Sequence, residues 1–188
     1  MSAIVARLNA VLIGCGNINA GQAKLLAAHP DFELTAVADV NSAHAQAVAD
    51  AVQAKAYTDV ARMLAVEKPD TVSICTANDT HAALTIQAAN AGVKGIYCEK
   101  PMATCMADAT AMVNACTARG ISLVINHQRR LGADLTAARE LIDAGALGDI
   151  ILARGHCAGD ILSDGTHAID SLQFLLGDQE IRWVFGQV

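Results

Sequence analysis

The 188-residue sequence predicts an α/β fold, a doubly wound parallel sheet followed by the beginning of a second α/β domain with an open sheet. Three observations carry this reading. Six short apolar runs alternate with helix-forming stretches over the first 125 residues. The first run, at 10–13, ends in the glycine turn Gly14-Cys15-Gly16-Asn17-Ile18-Asn19. The second ends in an acid, Asp39, 25 residues beyond Gly14. Apolar runs of strand length between helices are the pattern of strands covered on both faces, and parallel neighbours joined by helices take right-handed crossovers.

The elements follow in order. Strand one at 10–13 passes through the glycine turn into a helix over 22–28, which the break at 28–31 ends. Residues 32–38 (FELTAVA) read as strand two, and the alanine-rich 42–53 as the next helix. A short strand at 55–57 precedes a helix capped by Thr58 and closed by Pro69. TVSIC at 71–75 is apolar enough for the sheet centre, and a helix over about 80–90 stops at Gly92. KGIYC at 94–98 leads into Glu99-Lys100-Pro101; a helix at 104–118 stops at Gly120, and ISLVI at 121–125 is strand six. Beyond it lie the polar cluster 126–130, a helix at 133–143, a strand at 149–157, a helix at 164–176 and a last strand at 181–188. The expected division is a dinucleotide-binding domain over 1–125 and a partial substrate or oligomerisation domain over 126–188.

Composition narrows the function classes. Hydrophobic residues make up 53% and mean hydropathy is +0.34, so the chain is globular rather than disordered. A formal charge of −6, no basic run and only 3% aromatic residues argue against nucleic acid. None of the six cysteines forms a Cys-x-x-Cys pair, and no His-x-x-x-His occurs, so the thiols read as small buried hydrophobes and no metal is expected. The N-terminal apolar run lacks a basic leader, and no stretch reaches the ~18 apolar residues of a membrane span, so the expectation is a cytoplasmic protein without a membrane partner.

The glycine turn is built for an anion. It joins a strand to a helix whose unpaired N–H groups and dipole favour negative charge by roughly 0.3–1 kcal/mol. Gly14 supplies the turn and Gly16 leaves room for a pyrophosphate to approach the backbone. The pattern is Gly-x-Gly-x-x-Asn, with the small Ala20 and Gly21 in place of a third glycine nearby. Asp39 stands where a dinucleotide fold places an acid on the adenosine ribose, although a helix-capping role is open to it beside Asn41. No arginine follows it to receive a 2′-phosphate, which favours NAD over NADP.

With Glu99-Lys100-Pro101 added to these signals, nearly the whole chain resembles the glucose–fructose oxidoreductase/inositol dehydrogenase family, often written Gfo/Idh/MocA. The resemblance rests on GCGNIN with Asp39, on residues 69–101 ending in Glu-Lys-Pro, on 126–150, and on SDGTHAIDSLQFLLGD at 163–178. It implies an NAD(P)-dependent dehydrogenase or reductase moving hydride between nicotinamide and a sugar, cyclitol or related hydroxy or carbonyl compound. It also implies that Lys100 and His167 handle the proton; where the family commonly has an Asp four residues before the His, this chain has Ser163, and Asp164, one residue closer, is the expected third member. A lysine serves as a base only where desolvation or a neighbouring positive charge favours its neutral form, and an imidazole exchanges a proton readily near neutral pH. Cofactor contacts are expected from Gly14, Gly16, Asn17, Ile18 and Asp39 on one side. Thr76, Asn78, His81, Glu99 and Lys100 supply them on the other. His81 reads as either a structural or a cofactor-edge residue. Asp160 and Asp170 are alternatives to Asp164, and for Asp170 a structural hydrogen bond is favoured.

The family's members are longer than this chain. A second domain of about 60 residues rarely stabilises itself, and an open sheet edge invites pairing with another copy. The expectation is therefore a homo-oligomer formed through the C-terminal sheet. The alternative is an inactive dinucleotide-binding module serving as a sensor or partner subunit. Arg129 and Arg130 point either to an anionic or polyhydroxylated substrate or to a solvated pair.

Overall fold

In the computed structural model, which describes residues 6–16 and 19–187, all six apolar runs become strands. They are Leu8–Ile13 (β1), Phe32–Ala38 (β2), Lys55–Tyr57 (β3), Thr71–Ile74 (β4), Gly95–Cys98 (β5) and Ser122–Ile125 (β6). Five helices connect them: Asn19–Ala28 (α1), Ser42–Val52 (α2), Val60–Glu67 (α3), His81–Asn90 (α4) and Met106–Thr117 (α5). The sheet is parallel throughout, in the order β3-β2-β1-β4-β5-β6. The chain thus starts at the centre and winds outward both ways. The loops after β1 and β4 leave their strands in opposite directions and open a crevice at the C-terminal edge, where such sheets bind ligands.

The period-two geometry of a strand builds both faces of the core. Val11 and Ile13 pack into one cluster with Met63, Ile74, Ile96 and Met112. Leu12, between them, packs into the other with Leu34, Val37, Val48 and Cys75. Each large aliphatic side chain so enclosed stabilises the fold by about 1.5–3 kcal/mol. Register slips once, where Ala10 faces Leu34 and Val11 faces Ala36. The skipped Thr35 donates its hydroxyl to Asn9 Oδ1 at 2.6 Å, which satisfies the irregularity. α2 is capped by Asn41, whose side chain accepts from the Ala43 amide. The cap of α3 is Asp59 rather than Thr58: its carboxylate accepts from the Arg62 amide at 3.0 Å, and as a charged acceptor it takes the better position against the helix dipole.

The chain divides into two compact units, Met1–Asn126 and His127–Val188. The second contains a 3-10 turn at Gln128–Leu131, the helix Ala133–Asp143 (α6), a π-helical turn at Ile161–Gly165 and the helix Thr166–Leu175 (α7). The helix expected to start at 164 therefore begins as a wider turn, closed by the Gly165 amide donating to Asp160 O at 3.0 Å and capped by the Asp160 carboxylate. The strands expected at 149–157 and 181–188 do not form among the described residues. A strand needs a partner ladder, and the described residues of this unit include none. Their apolar side chains face outward instead, with Ile151 96% and Trp183 80% exposed. No C-terminal sheet is present among the described residues. No helix among the described residues is long and apolar enough to cross a membrane.

Candidate functional site

The first unit gathers most of the expected cofactor residues at the C-terminal edge of its sheet. Gly14 has φ +98°, and a Cβ there would overlap the Cys75 carbonyl on the neighbouring strand end. Only glycine lets the turn after β1 pass so close to the end of β4. The turn is held from the other side too: the Gly14 amide donates to Ala38 O at 2.8 Å, and the Cys15 amide donates to Asp39 Oδ2 at 2.7 Å. Asp39 Oδ1 accepts from the Asn41 amide at 2.8 Å, and His44 Nδ1 lies 4.0 Å from the same oxygen. Asp39 thus braces the loop after β2 and faces the glycine turn, while the cap of α2 is Asn41. Each oxygen retains lone-pair capacity for a further donor. Asn17 and Ile18 lie outside the described residues.

Beneath the turn sits a polar group that sequence reasoning did not find. Gln22 on α1 donates from Nε2 to Ser73 Oγ at 3.2 Å, and the Cys75 thiol donates to Gln22 Oε1. One glutamine thereby satisfies two side chains of β4 and its end. Burial pushes the Cys15, Cys75 and Cys98 thiols up to about 12, with Asp39 adding to the rise at Cys15. These are inert core thiols, as their apolar surroundings suggested.

The loop after β4 is stitched to the loop after β5. The hydroxyls of Thr76 and Thr80 lie 2.6 Å apart, and Asn78 stands in the 3-10 turn Asn78–Thr80. His81 is fully buried at the start of α4. Its Nδ1 lies 2.8 Å from Pro101 O and its Nε2 3.2 Å from Thr76 O. Through the Pro101 contact the imidazole ties the two loops together. Lys100 and Pro101 are joined by a cis peptide in the second of these loops. Glu99 accepts from Asn126 Nδ2 at 2.7 Å and from the Lys100 amide at 3.3 Å. Its negative charge and, chiefly, burial push the Tyr97 hydroxyl up to about 12.

The second unit has its own charged cluster. His167, in the first turn of α7, is 5% exposed, and its ring meets the His127 ring edge-on at 5.9 Å between centroids. His127 Nδ1 lies 3.7 Å from Asp170 Oδ2. Arg130 grips Asp170 through Nε at 2.8 and 2.9 Å, and Asp178 through its terminal nitrogens at 2.8 and 3.1 Å. The guanidinium also lies over the Phe174 ring, 5.5 Å from its centroid. Arg130 is therefore a structural clamp, and Asp170 has the structural bond expected of it. The spacing of Asp170 from His167 was the visible signal; that Arg130 and His127 would join them was not. Asp164 faces Arg129 at 3.6 Å with both side chains about half exposed, and Asp160 caps the π turn.

Residues 8–127 match the GFO_IDH_MocA family, an oxidoreductase family with an NAD-binding Rossmann fold. The chain is 32% identical to the D-apiose dehydrogenase of Paraburkholderia graminis, over 93% of this chain and 51% of that protein. It is 33% identical to an inositol 2-dehydrogenase of Rhizobium meliloti, over 90% of this chain and 55% of the relative. The crystal structure of the WlbA dehydrogenase from Bordetella pertussis, in complex with NADH and UDP-GlcNAcA, superposes with a TM-score of 0.83 at 27% identity, covering 91% of this chain and 57% of that one. The chain thus spans about half the length of the curated relatives it matches.

Proposed function

Because the chain belongs to the GFO_IDH_MocA oxidoreductases with an NAD-binding Rossmann fold, we propose that it binds NAD at the crevice between β1 and β4 and transfers hydride to or from a sugar, cyclitol or related hydroxy or carbonyl compound. The observation that carries this is the bond from the Cys15 amide to Asp39. It locks the glycine turn to the acid, so that a pyrophosphate-binding backbone and a ribose-binding carboxylate stand side by side across β1 and β2. The Asp39 carboxylate fits the cofactor, since it keeps lone pairs for the adenosine ribose hydroxyls after accepting from the Cys15 and Asn41 amides. That carboxylate opposes a 2′-phosphate, and Val40, Asn41 and Ser42 after it offer no cation to offset the repulsion, so NAD is preferred over NADP.

Nicotinamide supplies the hydride donor or acceptor when bound. The chain's own residues position it and manage the proton. Lys100, placed by β5 and by the His81–Pro101 tie, handles the proton of the substrate hydroxyl or carbonyl oxygen. His167 is the second proton-exchanging group of this reading. The named relatives act on apiose and inositol, and a polyhydroxylated substrate of that kind is proposed here. Calorimetric titration with NAD and NADP tests the binding step; saturable binding of NAD with weaker binding of NADP is expected. Incubation with NAD and a panel of polyols should then produce NADH absorbance. Absence of NAD binding overturns the reading. Binding without turnover on any candidate leaves the chain a dinucleotide-binding module.

A further inference from the structure

Asn126 follows β6 directly, and its amide extends the ladder by donating to Cys98 O at 2.8 Å. Its side chain then crosses to the end of β5 and donates from Nδ2 to Glu99 Oε1 at 2.7 Å. The other carboxylate oxygen accepts from the Lys100 amide at 3.3 Å. Glu99 is thereby fixed at both oxygens, while its backbone amide is held by Ile74 O at 2.9 Å. A glutamate at a strand end normally samples many rotamers, and ordering it costs conformational entropy. Here Asn126 has already ordered it, and a carboxylate with two bonds made still accepts more.

The sheet order says what this serves. Asp39 lies beyond β2, the glycine turn beyond β1, and Glu99 beyond β5, across the crevice from Asp39. A dinucleotide with its adenosine ribose on Asp39 and its pyrophosphate on the turn carries its second nucleoside toward β4 and β5. We propose that Asn126 is a positioning residue which presets the Glu99 carboxylate to accept hydroxyl hydrogen bonds from the nicotinamide-side ribose, and so sets affinity for that half of the cofactor alone. This rests on the NAD reading above.

The test compares two ligands on the full chain. NAD carries the second ribose and nicotinamide; ADP carries only the adenosine and diphosphate. Asn126→Ala should weaken NAD about 3- to 10-fold, the worth of one lost orienting hydrogen bond, with ADP affinity unchanged within about two-fold. Asn126→Asp sets a second carboxylate against Glu99 and should weaken NAD further, again sparing ADP. Asn126→Ser keeps a donor and should recover part of the loss. On a Glu99→Ala background, Asn126→Ala should have no further effect on NAD. Equal NAD affinity in wild type and both Asn126→Ala and Asn126→Asp overturns the inference. So does a parallel fall for NAD and ADP, or an undiminished Asn126→Ala effect once Glu99 is gone. A wild-type chain that binds neither ligand overturns the cofactor reading, and this inference with it.

Discussion

The two units of this chain are held together by different physics. In Met1–Asn126 the sheet supplies the core: every buried apolar side chain among the described residues belongs to it, from Ala10 to Ile121. Among the described residues of His127–Val188 the only buried polar side chain is His167, and Ile150, Ile151, Leu152, Trp183, Val184 and Phe185 are exposed. What organises the second unit is charge: Arg130 on Asp170 and Asp178, and Arg139 donating to the Phe174 and Leu175 carbonyls at the end of α7. Apolar burial is nearly indifferent to salt, whereas half-exposed ion pairs are screened by it. The first unit should therefore be robust and the second conditional, and each prediction below tests that contrast.

The largest expected effect lies in the first unit. Gly14→Ala forces a side chain into φ +98° and onto the Cys75 carbonyl, which is backbone and cannot swing away. Strain and overlap together should cost about 3 kcal/mol or more. Thermal unfolding followed by circular dichroism should show a marked fall in midpoint, and NAD binding should be lost. A variant that melts like the wild type would mean that the close approach of the turn to β4 is not what holds the crevice open.

Next comes the second unit's clamp. Arg130→Ala removes paired hydrogen bonds from Asp170, whose side chain is 13% exposed and also faces His127. Discounting for the guanidinium's partial exposure, the loss should be about 2 kcal/mol. It should appear as faster amide exchange in α7, with exchange in β1 and β4 unchanged. High salt should mimic it in part. Loosening that spreads to the central strands would show that the two units are not energetically separate.

This contrast also explains what was readable from the sequence. All six strands of the first unit were legible: the central runs such as VLI are buried on both faces, and the edge strands β3 and β6, which are not buried, were marked by the helices and turns that bound them. The strand-end loops came with them, and with the loops came Gly14, Asp39, Glu99 and Lys100. The stretches at 149–157 and 181–188 are also rich in apolar residues, but composition does not show whether a partner strand exists. Partnerships between side chains far apart in sequence were hidden for a related reason. Asn126 to Glu99, Gln22 to Ser73, and Arg130 to Asp178 depend on which strand or turn ends are neighbours, and a polar residue in a loop carries no mark of its acceptor. His81 was legible only as an ambiguity, and its burial and its contact with Pro101 O were not.

Not every charge in the first unit is incidental to its apolar core. Glu67 lies against Tyr57, whose hydroxyl donates to it, and Lys55 donates to both its oxygens at 3.0 and 3.1 Å. Burial raises the Glu67 carboxyl, but the bonds from Tyr57 and Lys55 and the lysine's charge outweigh it, so the group sits below its usual range. Asp70 is lowered similarly, by the Lys94 hydrogen bond and the Asn9 amide. A carboxyl lowered in the folded state stabilises above its unfolded pKa, near 4.3 for glutamate, and loses that contribution as pH falls through the folded value. Stability should accordingly be level above about pH 5 and decline below it. Glu67→Gln should cost about 1 kcal/mol at pH 7 and flatten the acid limb. An acid limb unchanged in that variant would assign the decline to Asp70 and other carboxylates.

The smallest effect is expected one residue before the clamp. Arg129 and Arg130 are chemically identical neighbours, yet Arg129 meets a single partner, Asp164, at 3.6 Å, with side chains 50% and 45% exposed. A pair so placed is worth under about 0.5 kcal/mol, because water competes for both groups and holding two mobile side chains costs entropy. Arg129→Ala should therefore leave α7 exchange within error of the wild type, against the clear loosening for Arg130→Ala. The same measurement bears on Asp164 as the third proton-handling residue. If Asp164 is only a solvated partner of Arg129, Asp164→Asn and Arg129→Ala should be equally silent in exchange and in any polyol turnover. If turnover falls in Asp164→Asn while Arg129→Ala remains silent, the carboxylate acts on the reaction independently of its surface pair.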